Sequence, residues 1–145
     1  MADPARDLNL DDHLCFAVHA TAHAFAQAYK PLLEPMKLTY PQYLVMLVLW
    51  EGDGLSVSEI GARLFLDSGT LTPLLKRLEG LGYVERRRDD KDERVVRIRL
   101  TEAGRDLRKQ ARCIPPALMT TMGMDEATLG QVNAQVRAIG RALRA

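Results

Sequence analysis

Ser56-Val57-Ser58-Glu59-Ile60-Gly61-Ala62-Arg63-Leu64-Phe65-Leu66-Asp67-Ser68-Gly69-Thr70-Leu71-Thr72-Pro73-Leu74-Leu75-Lys76-Arg77-Leu78-Glu79-Gly80 decides how the rest of the chain is read. Ser56 with Glu59 three residues later is a capping box, and it opens a short helix to about Leu64 with Ile60 and Leu64 turned inward. After the turn Phe65-Leu66-Asp67-Ser68, the spacing predicts a second helix from about Gly69 to Gly80. Leu71, Leu74, Leu75 and Leu78 form its apolar side, and Thr70, Thr72, Pro73, Lys76 and Arg77 lie largely on its other faces. Two short helices joined by about four residues, the second polar and basic outside, read as a helix-turn-helix. Gly82 ends the second helix. Tyr83–Arg88 then reads as a strand, Asp89–Glu93 as a turn and Arg94–Leu100 as a returning strand, in which Val96, Ile98 and Leu100 alternate with Arg97 and Arg99. A charged β-hairpin directly behind a helix-turn-helix is a wing.

Upstream, Leu14, Val18, Ala22, Phe25, Tyr29 and Leu32 recur at helical spacing from Asp11 to about Glu34. Asp11 and Asp12 stand where they could cap that helix, and Pro31 and Pro35 break the pattern at its end. A second helix is expected from Tyr40-Pro41. Its run Tyr43–Trp50 is apolar on nearly all sides, which implies burial, and Glu51-Gly52-Asp53-Gly54 stops it. Downstream, Thr101-Glu102-Ala103-Gly104 starts a helix to about Arg112. Pro115 and Pro116 interrupt it, a weaker pattern resumes to about Thr120, and a last helix follows Asp125-Glu126 with Leu129, Val132, Val136, Ile139 and Leu143 on one stripe. The expected fold class is mainly α with a small β-hairpin wing.

The 145 residues allow one domain and hardly two. No apolar run approaches the roughly 20 residues of a membrane helix. Met1–Asp7 lacks a basic region followed by an apolar one, so no secretion leader and no membrane partner are expected. The two cysteines, Cys15 and Cys113, are too few for a disulfide scaffold, and a cytoplasmic protein with reduced thiols is the default. Net charge is +1, but it is unevenly spread. Residues 1–75 hold 4 basic and 9 acidic side chains, net −5, whereas residues 76–112 hold 13 basic and 8 acidic, net +5. A compact basic segment in a balanced chain suits a local contact with a polyanion, although a solvated mixed-charge surface would look similar on charge alone.

Double-stranded DNA fits that polyanion. Ser68, Thr70 and Thr72 at the start of the second helix are candidate base readers, Lys76 and Arg77 candidate phosphate contacts, and Arg86 a further candidate DNA-binding residue. Arg94, flanked by Lys91 and Asp92 at the wing turn, suits insertion into a narrow, electronegative minor groove. Each basic residue taken alone could be an ordinary solvated side chain. The order of capped helix, turn, polar-faced helix and basic hairpin is what singles out the set.

Asp92-Glu93-Arg94-Val95-Val96-Arg97-Ile98-Arg99-Leu100-Thr101-Glu102-Ala103-Gly104 resembles the wing signature of the MarR family of bacterial transcription regulators. Leu78-Glu79-Gly80-Leu81-Gly82-Tyr83-Val84 resembles the end of that family's recognition helix. The likeness in element order covers about residues 10–143. It implies a single MarR-type winged-helix domain over 1–145, with 10–34 and 101–143 supplying dimerisation helices and 40–100 the DNA-binding part of an interlocked homodimer. It also implies a repressor bound to a pseudo-palindromic operator, with no cofactor and no enzymatic activity. The amphipathic first and last helices agree with a covering partner.

Asp12-His13-Leu14-Cys15-Phe16-Ala17, with Tyr29 and Tyr40 downstream, resembles the OhrR-type branch, whose members sense organic hydroperoxides. That resemblance implies that Cys15 is the reactive thiol, Tyr29 and Tyr40 are its hydrogen-bonding partners, and oxidation releases the operator. His19 stands where some members carry an aromatic hydroxyl. Cys15 and Tyr29 are 14 residues apart on one helix, roughly 21 Å along its axis, so a contact between them requires a second subunit. Phe16, Phe25 and Met46 are candidates for an apolar wall favouring organic over hydrogen peroxide. Some relatives resolve the oxidised thiol with a second cysteine from the partner subunit and others with a small external thiol. Cys113 is the candidate resolving thiol, against the commoner fate of a buried, inert cysteine.

Three other readings stay open at this point. Cys15, His19 and His23 share a helix face, with His13 nearby, and could collect a metal ion. A MarR-type regulator could instead bind a non-covalent small-molecule ligand. A small thiol-dependent peroxidase is opposed by the helix-turn-helix, the wing and the lack of a clear base beside Cys15.

Overall fold

The computed structural model describes residues 8–145, so the N-terminal stretch read for a leader lies outside the described residues. Its elements are α1 (Leu14–Leu33), α2 (Tyr40–Glu51), β1 (Leu55–Ser56), α3 (Val57–Leu64), α4 (Ser68–Gly80), β2 (Val84–Arg88), β3 (Val96–Leu100), α5 (Glu102–Ala111), α6 (Ile114–Met122) and α7 (Glu126–Arg144). The fold is thus mostly helical with one small antiparallel sheet of order β1-β3-β2. The chain falls into two compact units, one through Arg108 and one from Lys109. Among the described residues no helix is long and apolar enough to cross a membrane.

In the first unit α2 is the central element. Thr39 and Gln42 form a capping box at its start, and Tyr43, Val45, Met46, Val48 and Leu49 are all buried. That burial is what an all-round apolar helix requires. Ser56 and Glu59 cap α3 as expected, and Ile60 with Leu71, Leu75 and Leu78 of α4 complete the apolar centre of the helix-turn-helix. Gly61 permits the tight turn, because a Cβ there would stand 2.7 Å from the Leu66 carbonyl oxygen. The hairpin pairs Val84 with Leu100 and Arg88 with Val96, and β1, which the sequence reading missed, adds Leu55 opposite Ile98. Two residues between a glycine loop and a helix cap are too short to show a period.

Several boundaries differ from expectation. Asp11 and Asp12 do not cap α1; they lie in a short 3-10 turn, and His13 is the N-cap, without a side-chain cap bond. The far end agrees: α1 stops at Leu33, next to the expected Glu34, with Pro31 inside its last turn. A proline in the last turn forfeits one hydrogen bond and need not break the helix there. The returning strand starts at Val96 rather than Arg94, since Val95 and the Asp92 carbonyl close the turn instead.

In the second unit Pro115 and Pro116 open α6, where a missing N–H costs nothing, and Asp125 caps α7 through the Thr128 N–H at 2.7 Å. Ala111, Ile114 and Leu118 are buried. By contrast Val132, Val136, Ile139 and Leu143 form an exposed stripe along α7, and Leu14, Phe16 and Val18 of α1 are exposed in the same way.

Candidate DNA-reading face and thiol site

The N-terminus of α4 is built by Asp67, whose carboxylate accepts the Thr70 N–H at 2.7 Å. This bond, supplemented by the Thr70 side chain, holds the Asp67 carboxyl below its usual range. With Leu71, Leu75 and Leu78 turned to the core, Ser68, Thr70, Lys76 and Arg77 are all exposed. Thr72 differs: it is half-buried, and its hydroxyl donates to the Ser68 carbonyl at 2.7 Å. Its proton is therefore spent on its own helix, and only the oxygen remains to accept from a base.

The wing separates its arginines into two kinds. Arg94 at the tip has a side chain 91% exposed, held through Nε by Asp92 at 3.2 Å, a pairing that salt and solvent weaken. Arg86 is half-buried; its backbone N–H donates to the Glu79 carboxylate of α4 at 3.2 Å, and its Nε is buried without a hydrogen-bond partner. This candidate DNA-binding residue is thus drawn in beside α4 rather than presented like Arg94. Asp53, expected only as part of a helix stop, ties the loop before β1 to the sheet by accepting the Leu100 N–H at 2.8 Å.

Cys15 is the second residue of α1 and is exposed. It borders an open depression of about 440 Å³ whose other walls are Leu8, Leu10, His13, Phe16 and His19. Of the three residues expected as an apolar wall, Phe16 lines the depression, Phe25 does not, and Met46 is fully buried in α2. His13 is tethered through Nδ1 to the Asn9 carbonyl at 2.7 Å. Among the described residues no three His, Cys, Asp or Glu side chains are gathered to hold a metal ion. Cys113 is exposed in the single chain, its thiol donating to the Gln110 carbonyl at 3.2 Å.

The structure brings Tyr29 and Tyr40 together, with ring centroids 4.7 Å apart, and Tyr43 stands 5.4 Å from Tyr29. Cys15 lies near the other end of the same unbroken α1, about 21 Å away by helix rise. One chain therefore supplies the thiol and the phenols at two separate places. Burial, then the neighbouring Tyr43 and Tyr40, pushes the Tyr29 phenol up to about 12, and burial raises Tyr40 as well. Both phenols are hydrogen-bond donors at neutral pH. A phenol raised in the folded state contributes stability that is complete below the free value of 10.0 and is lost as pH climbs towards 12. Stability measured by denaturant should therefore fall through that alkaline window, and Tyr29→Phe should flatten the fall. An unchanged slope in the variant would contradict the burial of this phenol.

A family described as Transcriptional regulator SarA/Rot matches residues 27–110. The HTH-type transcriptional regulator TtmR of Methylorubrum extorquens is 60% identical over 130 residues, 87% of this chain and 67% of that protein. The organic hydroperoxide resistance transcriptional regulator of Bacillus subtilis is 46% identical over 112 residues, 77% of this chain and 76% of that one. The structure of reduced AbfR bound to DNA superposes with a TM-score of 0.78 at 34% identity, covering 92% of this chain and 94% of that chain.

Proposed function

For a chain that belongs to the SarA/Rot and MarR family of winged-helix, DNA-binding transcriptional regulators, we propose a cytoplasmic repressor that releases its operator when organic hydroperoxides oxidise Cys15. The observation that carries this reading is the exposed Cys15 thiol at the edge of a depression walled by Leu8, Leu10 and Phe16. The 46% identity to the Bacillus regulator supports it. The Cys15 thiolate attacks the terminal peroxide oxygen; the O–O bond breaks, the alkoxide leaves and takes up a proton as the alcohol, and sulfur loses two electrons to become the sulfenic acid. Condensation with a thiol, either Cys113 or a small external one, then gives a disulfide and water.

The reading requires a homodimer. The exposed apolar stripes of α1 and α7 are surfaces that a second copy would cover, and a Tyr29–Tyr40 pair can reach Cys15 only from another subunit. In the dimer, the two α4 helices enter successive major grooves with Ser68, Thr70 and the Thr72 oxygen towards the bases. Lys76 and Arg77 meet phosphates, Arg94 enters a flanking minor groove, and Arg86 approaches the backbone beside α4.

Selection from random-sequence duplexes with reduced protein tests both parts. It should return an inverted repeat with half-sites about one helical turn apart. Cumene hydroperoxide should then weaken that complex by about 100-fold. A complex that survives the hydroperoxide while the thiol is demonstrably reduced at the start would overturn the redox part. A non-covalent ligand would then be the reading to pursue.

A further inference from the structure

We propose that Arg97 is a positioning residue for DNA binding: a clamp that sets the angle of the wing against the helix-turn-helix without touching DNA. It rests on the DNA-binding function and on three contacts made by one guanidinium. Nε of Arg97 donates to Asp89 Oδ2 at 2.7 Å, and Nη1 donates to the Gly54 carbonyl at 3.0 Å. The same Nη1 lies 4.0 Å from Glu59 Oε2, the oxygen that accepts the Ser56 N–H in the capping box of α3. Asp89 begins the wing turn, Gly54 precedes β1, and Glu59 lies in the first turn of α3. Three segments therefore converge on one side chain.

The clamp is more enclosed than the other wing pairs. The Arg97 and Asp89 side chains are 35% and 16% exposed, against 91% for Arg94 and 64% for Arg87. Asp89 is itself fixed, its other oxygen accepting the Lys91 N–H at 2.8 Å. Register adds a reason for the bond. Arg97 stands directly opposite Arg87, a like-charge pair that destabilises a ladder unless a carboxylate intervenes. The wing also needs an outside hold, because a two-stranded ribbon is marginal by itself and β1 pairs with β3 over two residues. A planar fork can donate to Asp89 and Gly54 at once while keeping its charge near Glu59, whereas a lysine ammonium is a point charge on a flexible stem.

The alternative is that Arg97 is one more phosphate contact, and the two differ in sign. Operator affinity is measured across a salt series for the wild type and for Arg97→Ala, Arg97→Lys, Asp89→Asn and Arg94→Ala, with thermal melts confirming that each variant folds. The clamp predicts that Asp89→Asn weakens binding although it removes a negative charge from the wing. It predicts that Arg97→Ala and Arg97→Lys weaken binding to a similar degree, about fivefold to tenfold, and that Arg97→Ala combined with Asp89→Asn is little worse than either alone. The salt slope stays at the wild-type value in the Arg97 variants, while Arg94→Ala lowers it by about 1. Tighter binding by Asp89→Asn, or full recovery in Arg97→Lys together with a reduced slope in Arg97→Ala, would overturn the clamp. A wild-type protein that binds no duplex would instead remove the DNA-binding function on which the clamp rests.

Discussion

Cys15→Ser should bind the selected operator within about twofold of the wild type and lose the response to cumene hydroperoxide. The first half follows from exposure: Cys15 lies in the first turn of α1 with its thiol at the surface, where a near-isosteric change moves stability by about 0.5 kcal/mol or less. The second half follows from chemistry, because a serine hydroxyl does not attack a peroxide at neutral pH and forms no sulfenic acid. If oxidation couples to DNA by about 3 kcal/mol, the wild type loses affinity by about 150-fold on oxidation and the variant by none. Mass spectrometry of the oxidised wild type, with and without a small thiol, identifies which sulfur carries the product. A Cys113→Ser variant should still release the operator and change only the final oxidised species. Release by hydroperoxide that persists in Cys15→Ser would end the thiol mechanism.

Gly104→Ala should destabilise the fold by about 3 kcal/mol, lowering the melting temperature by about 10 °C. In an open helix the same change is favourable by up to about 1 kcal/mol. At Gly104 a Cβ would overlap the Tyr83 carbonyl and stand 3.3 Å from Leu100 Cδ2. The surroundings cannot yield, because this junction is bound from several directions. The Thr101 hydroxyl accepts the Gly104 N–H at 3.0 Å and donates to the Gly82 carbonyl at 2.6 Å. The Tyr83 carbonyl accepts the Thr101 N–H at 3.1 Å, and the Trp50 indole donates to the Gly104 carbonyl at 2.9 Å. Gly130 on α7 is the control, since nothing lies within 4 Å of a Cβ there. Gly130→Ala should raise stability slightly. A Gly104→Ala protein that melts at the wild-type temperature would contradict the packing of α5 against the turn before the wing.

The site was legible where chemistry and position suffice. Ser68, Thr70, Lys76 and Arg77 fall on the open side of α4 because the leucines at 71, 75 and 78 settle which side is closed. Thr72 shares their residue type, but its hydroxyl proton goes to the Ser68 carbonyl, a bond that residue type alone does not announce. Arg86, Arg94 and Arg97 are equivalent as letters in a basic hairpin. One is drawn in beside α4, one projects from the tip and one is bonded across the sheet. Arg94 is marked locally by the turn around Asp92, whereas Arg86 and Arg97 find Glu79 and Asp89 seven and eight residues away.

Signals of short range were thus sufficient for the winged helix. Helix caps, a period of 3.6 or of 2, and a glycine at a turn are interactions between near neighbours, and they act before any tertiary contact exists. Docking decided the remainder. The contact of the Tyr29 and Tyr40 rings, the reach of Arg97 to Gly54 and the need for glycine at 104 beneath Tyr83 join residues of different elements. Such pairs depend on how rigid elements pack, and packing is a property of the whole assembly of side chains rather than of any stretch of letters.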